Sequence, residues 1–339
     1  MATESTTTVP LTSLERYIDR LSQPRAITAI GLAFVLLLFG ASYLDSNLAG
    51  LSDLRDLLQL LGYPVLIVYT LFVSRILTPF TDRAIEAFRP LVSMDDRGFD
   101  RLVTEASQQG RRREWVALAA GALFGVLINP PWTWQGEAFW THVQVLLASV
   151  FLFGLLGWLI HGSLADTRLF GELHRQPLAI NVFDPTPLEP IAQMSLATSV
   201  AFIVGATLSL LMFYSDPRQV LTPQGIMIYG SLILTPVLVF FLNMMSTHRV
   251  MADAKELELQ LVRHNLSAMY QELKERTDKA QLQDMEAFSD AINAWLAYQK
   301  VIEDAPEWPY TTDMLRNLVA STLLPLAAWA AQMVVDLIT

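Results

Sequence analysis

Apolar positions in this chain come in long unbroken blocks, separated by polar connections, and not in stripes of helical or strand period. Six blocks follow one another at about 26–44, 57–77, 115–129, 143–160, 195–213 and 226–245, and a further one covers 318–338. A core helix of a soluble protein keeps a polar face, whereas a helix that crosses the hydrocarbon is apolar all round for about 20 residues. The pattern predicts an all-α, polytopic transmembrane bundle of six to seven spans. The third block is short, and Gly121 and Gly125 within it form a small-xxx-small pattern that lets another helix approach closely.

The polar connections divide the chain further. Residues 1–25 form a leader ending in an amphipathic stretch around Leu14 to Leu21, expected to lie on the membrane surface. Residues 26–246 form the transmembrane domain, with long connections at 78–113 and 162–194. The first of these connections contains the basic run Arg111, Arg112 and Arg113, which fits a cluster held at anionic headgroups. The second contains Pro177, Pro185, Pro187 and Pro190, which disfavour a helix because proline lacks a donor and clashes with the preceding turn. Its apolar residues Leu178, Ile180, Val182, Phe183 and Leu188 need a surface to cover, expected at the inner ends of the spans or on a neighbouring subunit.

The sixth block runs without Gly or Pro into a charged helical pattern. Leu259, Val262, Leu266, Met269 and Leu273 recur in steps of three and four, and a second stripe follows at Met285, Phe288, Ile292, Trp295 and Ile302. A single rod from 247 to 301 would end roughly 80 Å from the membrane, leaving no chain to bring the last apolar block back. Residues 247–305 are therefore expected to fold as an antiparallel helical hairpin, and 306–339 as an apolar helix that spans the membrane. The rival placement for that last helix is the core of a cytoplasmic oligomer.

Charge orients this scheme. Lys and Arg in the successive connections number three, one, eight (counting Arg75), none, two and one. That alternation puts the N-terminus, the hairpin and the basic connections on the cytoplasmic side of a plasma membrane of bacterial type. Arg75 lies one turn from the end of its span, where a long side chain snorkels to the headgroups or serves as a ligand or pore charge. The net charge of −10 argues against a nucleic-acid partner.

Candidate chemistry is sparse. With no cysteine there is neither a disulfide framework nor a thiolate metal site. The five histidines, His142, His161, His174, His248 and His264, show no ligand spacing. Hydrolase, nucleotide-binding and metalloprotease motifs are missing, so no enzyme activity, cofactor or metal is expected.

What stands out is a polar row on the sixth block, Ser231, Thr235, Asn243 and Ser246, within an arc of about 120°. It suits either hydrogen bonding between packed helices or a water-lined pathway. Two functions follow. One is an oligomeric channel whose sixth span faces the pathway and whose hairpin assembles or gates it. The other is a membrane sensor or scaffold that docks a cytoplasmic protein through the hairpin and the proline-rich connection.

Overall fold

The computed structural model describes residues 13–45, 54–108, 111–134, 138–174, 176, 181–184, 186–213, 222–278 and 285–338. Among them the chain is all-helical: α1 (Ser13–Leu21), α2 (Pro24–Leu44), α3 (Leu54–Phe88), α4 (Asp96–Gln108), α5 (Arg111–Ile128), α6 (Phe139–His174), α7 (Glu189–Phe213), α8 (Pro223–Asp278), α9 (Met285–Glu303), α10 (Thr312–Thr322) and α11 (Leu324–Ile338). Among the described residues five stretches are long and apolar enough to cross a membrane: Pro24–Leu44, Leu60–Phe88, Phe139–Leu173, Thr186–Phe213 and Thr312–Ala331. Large apolar side chains stand exposed along the bundle, including Leu32, Leu36 and Phe39 on α2, Leu123 and Leu127 on α5, and Leu234, Leu238 and Leu242 on α8. Water does not tolerate a belt of that kind, and hydrocarbon does. The protein is membrane-embedded.

Two of the expected spans are not among those five. In α5 the first four residues are charged, which leaves 14 apolar residues, about 21 Å of helix, short of the hydrocarbon thickness of about 30 Å. The apolar block of α8 includes many residues whose side chains lie outside the described set.

Contacts at the helix ends fix the path of the chain. At one end the Asp45 carboxylate after α2 meets the start of α6, Asn129 after α5 donates to Tyr63 near the start of α3, and the Tyr63 ring packs on Phe213 at the end of α7. At the other end Ser22 meets Ser74, and Phe88 of α3 stacks on Phe170 of α6. Successive helices α2, α3, α5, α6 and α7 therefore alternate in direction. Helix α7 lies centrally, against α3, α8, α10 and α11. Its small buried residues Ala192, Ser195, Ser199 and Ala206 let those neighbours come close.

The connection 78–113 is mostly helical. Helix α3 runs on through Pro79 to Phe88, and α6 runs through Gly162 and Gly171 to His174. These extensions are held by a shared apolar cluster of Ala84, Ile85, Phe88, Phe99, Val103, Phe170, Leu173, Leu188 and Met251. Helix α1 packs its buried Leu14 and Ile18 into the bundle core beside Ile67 and Leu152 rather than lying free on a surface.

Helix α8 is 56 residues long, about 84 Å. Beyond the bundle its stripe Leu259, Val262 and Leu266 packs against Ile292 and Ile302 of α9, which runs back alongside it. The base of this arm is tied down. Lys255 Nζ donates to the carbonyls of Glu303 and Ala305 and to Glu307 Oε1, and His248 stacks on Trp308 at 3.9 Å. Val182 joins the core of the arm and Phe183 packs on Tyr298, so this part of the proline-rich connection covers the arm, while Leu188 covers the bundle ends. Leu178 and Ile180 lie outside the described residues. The last apolar block breaks at Leu323, ahead of Pro325, and both α10 and α11 pack along α7. That places it in the bundle and not in the arm.

Candidate functional site

The side chains with the most chemistry gather where α1, α3, α6 and α7 meet, at the Phe88 end of the bundle. On α3 the residues Ser74, Thr78, Thr81, Asp82 and Ile85 fall within an arc of about 100° and so share a face. Helix α1 lies across that face, because the turn into α2 is clamped by a 3.0 Å hydrogen bond between the Ser22 and Ser74 hydroxyls. Helix α6 supplies Trp158, Leu159, Gly162 and Ser163, and α7 supplies Thr198. Between them is an open cavity of about 220 Å³. A Cβ placed on Gly162 would meet nothing within 4 Å, as expected of a position that borders open space.

The lining is divided by character. Ile18, Leu77, Ile85, Trp158, Leu159 and Leu169 make an apolar wall, and Asp19, Arg75 and Asp82 bring charge. None of these three charged side chains has a hydrogen bond or ion pair among the described residues. Several hydroxyls are already engaged: Ser74 donates to Leu71 O and Thr78 to Ser74 O. Among the described residues the cavity thus offers one unpaired cation and two unpaired anions at the end of an apolar segment. Sequence alone singled out Arg75 in this group. The hydroxyl and acid spacing on α3 was the signal that could have found Ser74, Thr78 and Asp82, whereas Asp19, Ser163 and Thr198 come together only through the packing of the helices.

The row Ser231, Thr235, Asn243 and Ser246 lies on α8, and the side chains of the first three are outside the described set. The buried face of α8 holds Pro236, Phe240, Met244 and Thr247. Ser246 and Thr247 have buried hydroxyls with no partner among the described residues, and Ser195 of α7 has another. Ser199 of α7 donates to Pro236 O at 2.8 Å, a direct polar tie between α7 and α8 at the proline.

Gly121 faces α6, where an added Cβ would collide with Phe153 O, and one on Gly125 would lie 2.7 Å from Ser149 O. Gly157 of α6 answers Gly121 directly. The close approach these glycines permit is therefore made inside one chain. Arg112 and Arg113 are exposed at the start of α5, and the Arg111 side chain is outside the described residues. Arg89 behaves differently from the rest of the basic connection. Its guanidinium reaches Glu86, Asp96 and Asp100 at 2.8, 3.1 and 2.9 Å and lies over the Phe99 ring. Burial opposes its charge, but hydrogen bonds to Asp100, Glu86 and Asp96 outweigh that and hold its pKa above the ordinary value. This arginine staples α4 to the end of α3.

Among the described residues no three His, Asp or Glu side chains are grouped to hold a metal ion. Compared with protein-family models, curated proteins and solved structures, the chain matches none.

Proposed function

We propose that this is a non-enzymatic membrane scaffold or sensor. In this reading the bundle spans the bilayer six to seven times and carries a cytoplasmic hairpin arm as its output. The observation that supports it is the continuity of α8 from its packing on α7 to the arm, with the arm's base tied to the start of the last apolar block by Lys255, His248 and Trp308. A helix packed at both ends transmits a shift in the bundle to the arm, because packed interfaces move as units. Leu257 and Leu261 stand exposed on the arm opposite its buried stripe, a surface suited to a protein partner. The orientation follows from the arginines of the Phe88 end, under the positive-inside rule.

A channel is the competing function, and one experiment separates the two. The chain has no cysteine, so a cysteine introduced by Asp278→Cys on the arm or by Trp132→Cys at the opposite end reports alone. In vesicles of known orientation, an impermeant maleimide is expected to label position 278 only from the cytoplasmic side and 132 only from the other. Liposomes containing the protein are expected to show no ion flux above empty ones. Labelling of both positions from one side overturns the topology. A flux that Asn243→Leu abolishes overturns the scaffold in favour of the channel.

A further inference from the structure

We propose that the cavity between α1, α3, α6 and α7 binds the zwitterionic headgroup of phosphatidylethanolamine, with Arg75 on the phosphate and Asp19 and Asp82 on the ammonium. The inference rests on the membrane-embedded reading of the bundle and does not require the arm. The argument is one of matched chemistry. The side chains of Asp19, Arg75 and Asp82 are exposed and have no partner among the described residues, so a ligand at the cavity can reach all three. A ligand that pairs with all three carries both an anionic and a cationic group.

Position selects a lipid as the source of that zwitterion. The cavity opens where the apolar part of α3 ends, and part of its wall is Ile18, Leu77, Ile85, Trp158, Leu159 and Leu169, which would contact glycerol and upper acyl carbons. At about 220 Å³ it is smaller than the roughly 300–1,000 Å³ of sites that engulf a whole drug-sized ligand, so it takes a headgroup and leaves the chains outside. The headgroup's identity follows from hydrogen bonding. A primary ammonium brings three N–H donors to two carboxylates, whereas a choline ammonium brings none. A phosphatidylglycerol headgroup would satisfy Arg75 but offer the two carboxylates only glycerol hydroxyls and no cation.

The test is lipid retention by the full chain in mixed micelles, read by native mass spectrometry with phosphatidylethanolamine, phosphatidylcholine and phosphatidylglycerol of equal acyl length. Phosphatidylethanolamine is expected to be retained about tenfold over either competitor. Arg75→Gln should abolish retention, and Gly162→Leu should do so by filling the cavity. Asp82→Asn should shift the preference toward phosphatidylglycerol, a change of selectivity that a merely unstable variant cannot mimic. Free phosphoethanolamine in equal amount should leave the lipid bound, and its displacement of the lipid would make the site one for a soluble zwitterion, overturning the assignment. Equal retention of phosphatidylethanolamine and phosphatidylcholine, or an unchanged preference in Asp82→Asn, overturns it too. Retention and maleimide labelling are separate readouts, so a failed lipid assignment and a failed scaffold are told apart.

Discussion

At the scale of single residues, the bundle's outer contacts are set by a few polar atoms, and Asp45 is the clearest case. Helix α6 starts after Ala138, which has a positive φ of 71° and no side-chain acceptor for the first turn. The free N–H groups there need a cap. Asp45, at the end of α2, provides it from another helix: its carboxylate accepts from Trp140 N at 3.0 Å, from Thr141 N at 2.6 Å and from the Thr141 hydroxyl at 2.8 Å. Desolvation disfavours the anion, but donation from Thr141 and Trp140 and the nearby His142 outweigh it, holding the carboxyl below its ordinary 3.8. A depressed folded value means that the cap stabilises the fold above the unfolded value and is lost as pH falls through the folded one. Asp45→Asn should therefore lower the melting temperature in detergent at about pH 7, and the gap to the unaltered protein should narrow as pH falls below 3.8. A gap of unchanged size would show that the charge of Asp45 is not what caps α6.

At the scale of elements, the helical class and the apolar stretches around α2, α3, α6 and α7 are legible because their physics is local: a membrane-length apolar run has few other folds. The stripes of α8 and α9 are legible for the same reason, since Leu259, Val262 and Leu266 on one and Phe288, Ile292 and Trp295 on the other repeat at helical spacing and pack in one cluster. The extents of α3 and α6 are not. Nothing local carries α6 through Gly162 and Gly171, where an added Cβ would meet no atom within 4 Å. The extension exists because Phe170 and Leu173 find Phe88 and Phe99, residues distant in sequence. The cavity was hidden likewise, since Asp19 and Asp82 are unremarkable surface acids until α1 lies across α3. The glycines of α5 carry the opposite lesson: a local motif was visible, and only the structure shows the partner to be α6 of the same chain. Gly121→Ala should destabilise the α5–α6 pair by about 1–3 kcal/mol through overpacking against a backbone carbonyl that cannot give way. Gly171→Ala, with open space around it, should be neutral or stabilising by up to about 1 kcal/mol. Melting of both variants in one detergent checks this, and equal effects would show that close approach is not what Gly121 supplies.

At the scale of the whole molecule, the distribution of apolar clusters separates the bundle from the arm. The clusters that hold α1 to α7, and those that join α7, α8 and α10, contain no residue between 257 and 301. The arm has its own core, to which the connection contributes Val182. Its two strands of chain meet at the base, where the Lys255 side chain is only 12% exposed and reaches Glu303 O at 2.8 Å. Packed helices lie about 8–10 Å apart, so a linker of about four residues, each adding up to about 3.3 Å, can join 256 to 302 once the arm is removed. With Val182→Ser and Phe183→Ser to cover the surface the arm leaves bare, that shortened protein is expected to insert, to elute as a single species and to keep the lipid preference of the full chain. Loss of insertion or of lipid selectivity would mean that the arm is part of the bundle's stability and not an appendage carried by it. Retention of both, together with loss of any partner bound through Leu257 and Leu261, would place sensing in the bundle and output in the arm, the division of labour that the unbroken α8 implies.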